Sequence, residues 1–272
     1  MEDPTWVDTM VEEYDSIVKN NAWEIVPRPE GKSVVGSRWI YKVKQAADGS
    51  VEKYKARFVS RGFSQIEGID YEETFAPVAR YSSIRTILSL SAQMGWHIHQ
   101  MDVKIAFLNG VIEEEVYIEH PEGLEVFNSE SHVCRLKRAL YGLKQAPGAW
   151  YTWIDSYFTG LGFSKSEADP NLYQIVVEGK LLIIVLYVDD LILIGDELLI
   201  LSCKMDLATE FEMKDLGLLH YFLGLEIWQR SGGLFVSQGK YAREILEKFN
   251  MHGSKPIDTP LPEELGRLNH SL

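Results

Sequence analysis

A run of apolar residues interrupted by two adjacent carboxylates constrains the fold more than any other feature. Residues 181–194 have the sequence LLIIVLYVDDLILI, which contains Asp189 and Asp190. The run is too short to span a bilayer, and each Asp would cost about 2.5–3.5 kcal/mol at the bilayer centre. Two buried strands joined by a tight turn accommodate this pattern, because the turn brings both acids to the edge of a sheet. We therefore predict a hairpin with paired acids at its tip and no membrane segment.

Apolar periodicity along the rest of the chain predicts an α+β fold, with helices interspersed among mostly antiparallel hairpins. Helical spacing is found in residues 5–20, 82–95, 148–162, 197–213 and 240–249. Strand patterns occupy residues 34–45, 51–60, 96–103, 172–177 and 180–187. Turn signals occur at residues 48–49, 109–110, 178–179 and 231–233, and the Pro-rich tail from residue 256 is expected to fray.

Composition excludes several classes of protein. The 272 residues are 46% hydrophobic and 25% charged, which is typical of a globular protein and excludes a disordered chain or a fibre. The two cysteines, Cys134 and Cys203, are far apart, so neither a zinc site nor a secreted disulfide framework is expected. The acidic N-terminus has no apolar core typical of a signal peptide. We therefore expect an intracellular, cytoplasmic protein that is not secreted.

The charge is distributed unevenly. The net charge of −13 argues against nucleic-acid binding, yet residues 32–65 contain eight basic and two acidic residues, a local charge of +6. Strand alternation places Lys42 and Lys44 on one face of the first strand, and Lys53, Lys55 and Arg57 on one face of the second. We predict a two-stranded ribbon with one apolar and one cationic face. Its cations either contact a polyanionic substrate or protect a solvated edge strand.

A third carboxylate, Asp102, ends the predicted strand WHIHQMDV. Hard oxygen ligands suit Mg²⁺, and a cation would relieve the repulsion between Asp189 and Asp190; a solvated turn is the alternative. Three strand-end acids on one sheet are the requirement of two-metal phosphoryl transfer. His97 and His99 alternate on the same strand without a third nitrogen or sulfur ligand, so we interpret them as structural.

The segments around these acids resemble the reverse transcriptase of copia-type LTR retrotransposons. Ten strings match in the family's order, over nearly the whole chain: GSRWIYKVK, KYKARFVSRGF, GIDYEETFAPVAR, HQMDVKIAFLNG, EEEVYIEHPEG, LYGLKQAP, YVDDLILIG, MKDLG, HYFLGLEI and TPL. The resemblance implies a right-hand polymerase, with palm and fingers subdomains, an antiparallel palm sheet and a truncated thumb. It places the N-terminal helix and fingers in residues 1–98, palm in 99–112, fingers in 113–145, palm in 146–238, including a primer-grip-like hairpin, and the start of the thumb with the tail in 239–272.

The resemblance also assigns the acids. Asp102 and Asp189 are expected to hold a pair of Mg²⁺ ions, which Mn²⁺ can replace, and Asp190 is a nearby ligand. The implied reaction joins a deoxynucleoside triphosphate to a primer 3′-hydroxyl on an RNA template and then on a DNA template. The expected partners are the primed RNA or DNA template and deoxynucleoside triphosphates, with no membrane; the oligomeric state is left open. The resemblance further implies a virus-like particle as the location of the protein in intact elements.

Further roles follow from the resemblance, each with an alternative. The nucleotide site is expected to include Lys42, Lys44, Lys55, Arg57, Phe107 and Gln145. The flat ring of Phe107 would exclude a ribose 2′-hydroxyl, although it can equally pack in the core, and Gln145 can equally be an exposed loop amide. The primer and template are expected to contact Tyr187, Arg135, Lys137, Arg138 and Lys144. A core role for the tyrosine and an ordinary charged surface for the basic residues are the alternatives.

Two positions depart from the family pattern. Ile105 stands where the family usually has Asn or Thr, and Gly148 stands where the family usually has Arg. Both keep open a second interpretation, that the chain is a catalytically impaired remnant that still binds nucleic acid. A structural domain that binds no nucleic acid is a third, favoured by the net charge. By family standards the chain corresponds to one module of a polyprotein.

Overall fold

Helices alternate with antiparallel strands throughout the residues that the computed structural model describes, which are 4–45, 50–123, 131–230 and 232–255. The helices are α1 (Pro4–Lys19), α2 (Tyr81–Met94), α3 (Ala106–Asn109), α4 (Ala146–Gly160), α5 (Glu197–Glu210) and α6 (Gly239–Lys248). The strands are β1 (Trp23–Pro27), β2 (Ser37–Gln45), β3 (Val51–Ser60), β4 (Ile98–Val103), β5 (Tyr117–Ile118), β6 (His132–Leu136), β7 (Ser164–Lys165), β8 (Leu172–Val177), β9 (Lys180–Tyr187), β10 (Asp190–Gly195), β11 (Met213–Leu218), β12 (Tyr221–Phe222), β13 (Leu225–Arg230) and β14 (Gly233–Ser237). The chain divides into two compact units, one up to Leu218 and one from Leu219. The predicted α+β class with antiparallel sheets is confirmed.

A six-stranded antiparallel sheet, the central sheet, organises the first unit. Its strand order is β11-β4-β10-β9-β8-β7. β9 and β10 consist almost entirely of Leu, Ile and Val because both faces of these strands are buried. Helices α4 and α5 pack against one face through residues three or four positions apart, including Trp150, Ile154 and Phe158 of α4. This spacing is the pattern from which both helices were predicted.

β2 and β3 form a separate two-stranded sheet, the basic hairpin, which confirms the predicted ribbon. Helix α1 packs along β3, and on the apolar face of the hairpin the ring centroid of Trp6 lies 5.0 Å from that of Tyr41 and 4.9 Å from that of Tyr54 in edge-on contacts. The opposite face carries the cations, as the alternation predicts. The predicted turn at Asp48-Gly49 lies outside the described residues.

Two features of the first unit differ from the prediction. The helix predicted to end at 213 ends at Glu210, because the chain becomes extended at Phe211 and β11 pairs with the edge of β4. A three-stranded sheet in the order β1-β6-β5 was not predicted. Its strands are short and far apart in the sequence, and therefore lack a hairpin signal.

The second unit contains the sheet β12-β13-β14 and helix α6. The hairpin predicted to turn at 231–233 and the helix predicted for 240–249 are both found, although Ser231 and the tail from Pro256 lie outside the described residues. The start of the thumb that the resemblance implies at residue 239 falls within this unit. Among the described helices, none is long and apolar enough to cross a membrane.

Candidate active site

Three carboxylates lie together at one end of the central sheet. Asp189 is in the two-residue turn between β9 and β10, and Asp190 begins β10 directly opposite Asp102 of β4. Opposing residues in an antiparallel pair project from the same face, so Asp102 and Asp190 are neighbours. The Val103 amide donates to the Asp189 carbonyl at 2.8 Å, which fixes the turn to β4. The structure thus brings together the three acids that the sequence singled out.

The turn that carries these acids has an unusual backbone. Val188 has a φ of +57°, in the left-handed region that β-branched residues rarely adopt. Its carbonyl accepts a hydrogen bond from Nε1 of the buried Trp150 at 2.6 Å. Because α4 places this indole in the core, the packing of the helix holds the strained turn in place.

Burial and mutual repulsion disfavour the charged forms of the acids. Burial raises the pKa of Asp190 to about 6, with further contributions from the Asp189 and Asp102 charges. Burial also raises the pKa of Asp189, as does the Asp102 charge, while Lys55 and Arg57 act in the opposite direction. Two neighbouring acids that are costly to ionise are a favourable environment for a cation.

Gln100 is a site residue that the sequence analysis missed. Its Nε2 donates to Oδ1 of Asp190 at 2.9 Å, and this hydrogen bond opposes the rise in the pKa of that acid. The signal was available, because Gln100 and Asp102 are two residues apart on one strand and therefore share a face. A glutamine on the same strand face as a strand-end acid is expected to hydrogen-bond to an acid of the site.

The donor chemistry fits a hard divalent cation, since three carboxylates supply the oxygen ligands that Mg²⁺ prefers. Within the described residues, however, no group of three or more His, Cys, Asp or Glu side chains is arranged as it stands to hold a metal ion. One oxygen of Asp190 is already bonded to Gln100. The three residues are therefore of the chemical type that would hold a divalent cation.

The cationic face of the basic hairpin places like charges opposite one another. Lys42 lies opposite Lys55, and Lys44 lies opposite Lys53. Helix α1 neutralises the two outer cations of β3: Glu12 pairs with Lys53 at 3.5 Å, and the buried Glu13 pairs with Arg57. Among the ion pairs of the described residues, none involves the three lysines between them, Lys42, Lys44 and Lys55.

This hairpin lies near enough to the acids to interact with them. Burial lowers the pKa of Lys55, as do the Arg57 and Lys44 charges, and the Asp102 charge partly opposes the shift. Arg57 also donates to the Lys104 carbonyl, two residues after Asp102, at 3.2 Å. A cationic surface therefore faces the acidic end of the central sheet.

Phe107 packs against two core clusters, one centred on α4 and the central sheet and one that includes Ile105 and Leu108. It is half-buried, and its ring centroid is 4.6 Å from that of Tyr141. The ring also lines a mostly apolar cavity of about 380 Å³ with Pro147, Trp150 and Val188. None of the three carboxylates is among the described residues that line this cavity. Phe107 therefore shares this cavity with Val188, the residue that precedes Asp189, and is only partly buried.

Gln145 is buried, which excludes the alternative of an exposed loop amide. Its Nε2 donates to the Asp70 carbonyl at 2.9 Å, and its Oε1 accepts from Nε2 of Gln65 at 3.0 Å. The side chain of Gln65 in turn accepts from the Lys144 amide at 2.8 Å. The glutamine that the sequence singled out therefore fixes the loop around Gln65 to the start of α4.

The second basic patch is partly neutralised. Arg135 and Lys137 both pair with Glu24, at 3.4 and 2.9 Å, and the hydrogen bond from Lys137 is the largest cause of the lowered pKa of this acid. Arg138 donates to the Asn109 carbonyl at 2.7 Å and lies over the ring of Trp153. Lys144 is exposed, and Tyr187, at the end of β9, is half-buried. The sequence did not indicate the acid because Glu24 comes from β1, far along the chain.

The departures from the family pattern lie at different places. Ile105 is buried in the core cluster that includes Leu108, Leu140 and Ala146, so its side chain belongs to the core. Gly148 is in the first turn of α4, where an added Cβ would meet only the Phe75 carbonyl, at 3.4 Å.

His97 and His99 both contact Glu197, at 3.0 and 3.3 Å, in agreement with the predicted structural role.

Comparison with known proteins identifies the family of this site. Residues 20–263 match the family model described as reverse transcriptase (RNA-dependent DNA polymerase). The chain belongs to the reverse transcriptase family. It is 44% identical over 260 residues to the retrovirus-related Pol polyprotein from transposon TNT 1-94 of Nicotiana tabacum, and 39% identical over 263 residues to that from transposon RE2 of Arabidopsis thaliana. The predicted resemblance to copia-type reverse transcriptases is confirmed.

The matches cover 94% and 96% of this chain but only 20% and 18% of the two relatives, so this reverse transcriptase chain spans about a fifth of their length. A solved structure, telomerase from Candida albicans in complex with a fragment of telomeric RNA, matches 92% of this chain and 56% of that chain. Its identity of 10% and TM-score of 0.41 are too low to support a fold assignment.

Proposed function

We propose that this chain catalyses RNA-directed DNA synthesis as the polymerase module of a copia-type Pol polyprotein. In the proposed reaction, a primer 3′-hydroxyl attacks the α-phosphate of a deoxynucleoside triphosphate and pyrophosphate leaves. The observation that carries the proposal is the placement of Asp190 directly opposite Asp102, with Asp189 in the adjoining turn, facing a cationic hairpin. In this proposal the central sheet and the sheet β12-β13-β14 belong to the palm, the basic hairpin belongs to the fingers, and helix α6 begins the thumb.

The three acids are the proposed ligands of two Mg²⁺ ions, for which Mn²⁺ can substitute. When bound, the metal would supply Lewis-acid activation of the 3′-hydroxyl and neutralisation of the triphosphate. The hydrogen bond from the Val103 amide to the Asp189 carbonyl fixes the backbone of the turn next to β4, the strand that carries Asp102. Gln100 keeps one oxygen of Asp190 oriented by its hydrogen bond.

The chain's own side chains account for the remaining parts of the nucleotide site. Lys42, Lys44 and Lys55 are the proposed triphosphate contacts, because ion pairs occupy the other two cations of that face. A charged cluster of this kind favours a polyanion that enters with its metal. Phe107 would exclude a ribose 2′-hydroxyl by steric clash, and Gln145 would shape the site by fixing the adjoining loop.

The primed template, RNA or DNA, is the proposed macromolecular partner. Tyr187 would lie under the primer end, since it precedes the acidic turn. The patch of Arg135, Lys137, Arg138 and Lys144 would contact template phosphates, although the contacts of Arg138 are those of a structural residue. We place this activity in the cytoplasm of the host cell.

Primer extension on an RNA template, with one labelled deoxynucleotide and either Mg²⁺ or Mn²⁺, tests the proposal. We expect extension by the parent chain and none by Asp189→Asn. Asp206→Asn is the matched control, because it makes the same chemical change at an exposed position on α5. If the parent chain binds an RNA–DNA hybrid but extends no primer, the remnant interpretation replaces the proposed polymerase.

A further inference from the structure

Arg57 joins three separate parts of the first unit. Its guanidinium pairs with the buried Glu13 of α1 and donates to the Lys104 carbonyl at 3.2 Å, just after β4. The same guanidinium lies over the ring of Tyr141, with its central carbon 5.1 Å from the centroid. A planar cation stacked on a ring and bonded on two sides is held in one position, unlike a solvated arginine.

The ring of Tyr141 passes this constraint on to Phe107. It contacts both the guanidinium of Arg57 and the ring of Phe107, whose centroid is 4.6 Å away at an interplanar angle of 56°. Aromatic pairs at this separation prefer such tilted geometry, and both contacts are made by the ring. A continuous series of contacts therefore runs from Glu13 of α1 to the residue proposed to select the sugar.

Helix α1 is well placed to supply this support. It packs along β3, with Trp6 against the apolar face of the basic hairpin, and Glu13 is buried. Burial raises the pKa of Glu13, and the charge of Arg57 and its hydrogen bond oppose the shift. Without its partner, each of these charges would be left partly desolvated. The helix also precedes residues 20–263, so the family model does not include it.

We propose that Tyr141, held by the Glu13–Arg57 pair, is a positioning residue that determines selectivity for deoxynucleotides over ribonucleotides. The inference rests on the proposed function of Phe107. The Phe107 ring can exclude ribonucleotides only if it stays in place, because a ring that tilts away makes room for the ribose 2′-hydroxyl. Tyr141 packs against Phe107 and is itself held by Arg57, so a movement of the Phe107 ring towards Tyr141 is opposed.

The test measures kcat/KM for dCTP and for CTP opposite a template guanine. The selectivity ratio is kcat/KM for dCTP divided by kcat/KM for CTP. The variants are Phe107→Ala, Tyr141→Leu, Tyr141→Phe and Glu13→Gln, each on the whole chain. Glu12→Gln is the matched control, because Glu12 is the neighbouring acid on α1 and its pair with Lys53 is exposed. Hybrid binding and thermal melting confirm that each variant is folded.

We expect Phe107→Ala to lower the ratio and Tyr141→Leu to lower it about tenfold, the scale of one lost aromatic contact. Glu13→Gln should lower it about threefold, because a neutral partner holds Arg57 less firmly. Tyr141→Phe keeps the aromatic ring, and Glu12→Gln leaves the contacts of Arg57 with Glu13 and Tyr141 intact. The selectivity ratio of both variants should therefore stay within about twofold of that of the parent. The lower selectivity ratio should result chiefly from a lower KM for CTP in the variant.

Several outcomes would overturn the inference. An unchanged ratio in Tyr141→Leu, with dCTP and CTP rates reduced equally, would show a structural role and leave the proposed function standing. If Phe107→Ala leaves the ratio unchanged, the sugar-selecting role fails and the inference fails with it. If Tyr141→Leu does not fold, Glu13→Gln decides by the same criterion. A parent that extends no primer overturns the proposed function and this inference together.

Discussion

Replacing Asp190 by Asn should stabilise the metal-free protein while impairing its chemistry. The substitution keeps the shape of the side chain and an oxygen that accepts from Gln100, but it removes one of three neighbouring negative charges. Burial and the Asp189 and Asp102 charges make that charge unfavourable in the folded state. An acid retained at such a position lowers stability in exchange for function.

The size of the effect follows from the pKa. A shift from 3.8 to about 6 corresponds to about 3 kcal/mol against the ionised folded state, and solvent relaxation reduces the expected gain to about 1–3 kcal/mol. Because the pKa is raised on folding, the folded state is favoured while Asp190 is protonated. That advantage is lost as the pH rises from about 4 to about 6. Asn carries no such penalty at any pH.

Thermal denaturation at pH 4 and pH 7.5, with and without Mg²⁺, measures this effect. At pH 7.5 without metal, we expect the melting temperature of Asp190→Asn to exceed that of the parent by about 2–10 °C. The difference should vanish near pH 4, and Mg²⁺ should narrow it at pH 7.5 by stabilising the parent more. A variant less stable than the parent at pH 7.5, or a gain that is independent of pH, would refute the reasoning.

Three further substitutions test other parts of the site. Trp150→Phe removes the donor to the Val188 carbonyl but keeps an aromatic ring. It should lower the free energy of unfolding by about 1–3 kcal/mol, measured by urea titration, and it should slow primer extension. An unchanged free energy and an unchanged rate would contradict the role of the indole. Gln100→Leu removes the hydrogen bond that favours ionised Asp190, so the acidic limb of the pH–rate profile should move to higher pH. Glu24→Gln should release Arg135 and Lys137 from their ion pairs with Glu24. The logarithm of the hybrid-binding constant should then fall more steeply with the logarithm of the salt concentration, by up to about one unit of slope. An unchanged slope would show that Arg135 and Lys137 do not contact the template.

Local patterns predicted much of the fold because they report burial directly. The alternation in β2 and β3 correctly assigned the cationic and apolar faces, and the apolar run around Asp189 predicted β9, the turn and β10. The pairing of β10 with β4, which places Asp102 opposite Asp190, followed only from the assumption that strand-end acids share a sheet. The acids of the candidate site could therefore be found from the sequence.

Non-local partners could not be predicted in the same way. Glu24 reaches Arg135 because β1 and β6 are adjacent in one sheet, although these two strands are more than a hundred residues apart in the sequence. The same holds for Glu13 and Arg57, which meet because α1 lies across the hairpin. Neither acid stands out locally, and each changes what a nearby cation can bind.

The distribution of charge in the first unit argues for a charged ligand more strongly than any single residue does. Acid lies opposite acid at Asp190 and Asp102, and lysine lies opposite lysine at two positions in the basic hairpin. Like charges directly opposite each other destabilise a sheet, and a fold selected for stability alone would separate or pair them. A metal-bound polyphosphate would relieve both kinds of repulsion at once, because its cations suit the acids and its oxygens suit the lysines. The net charge of −13 therefore gives no argument against a polyanionic substrate, since the sum over the chain conceals the local field at the site.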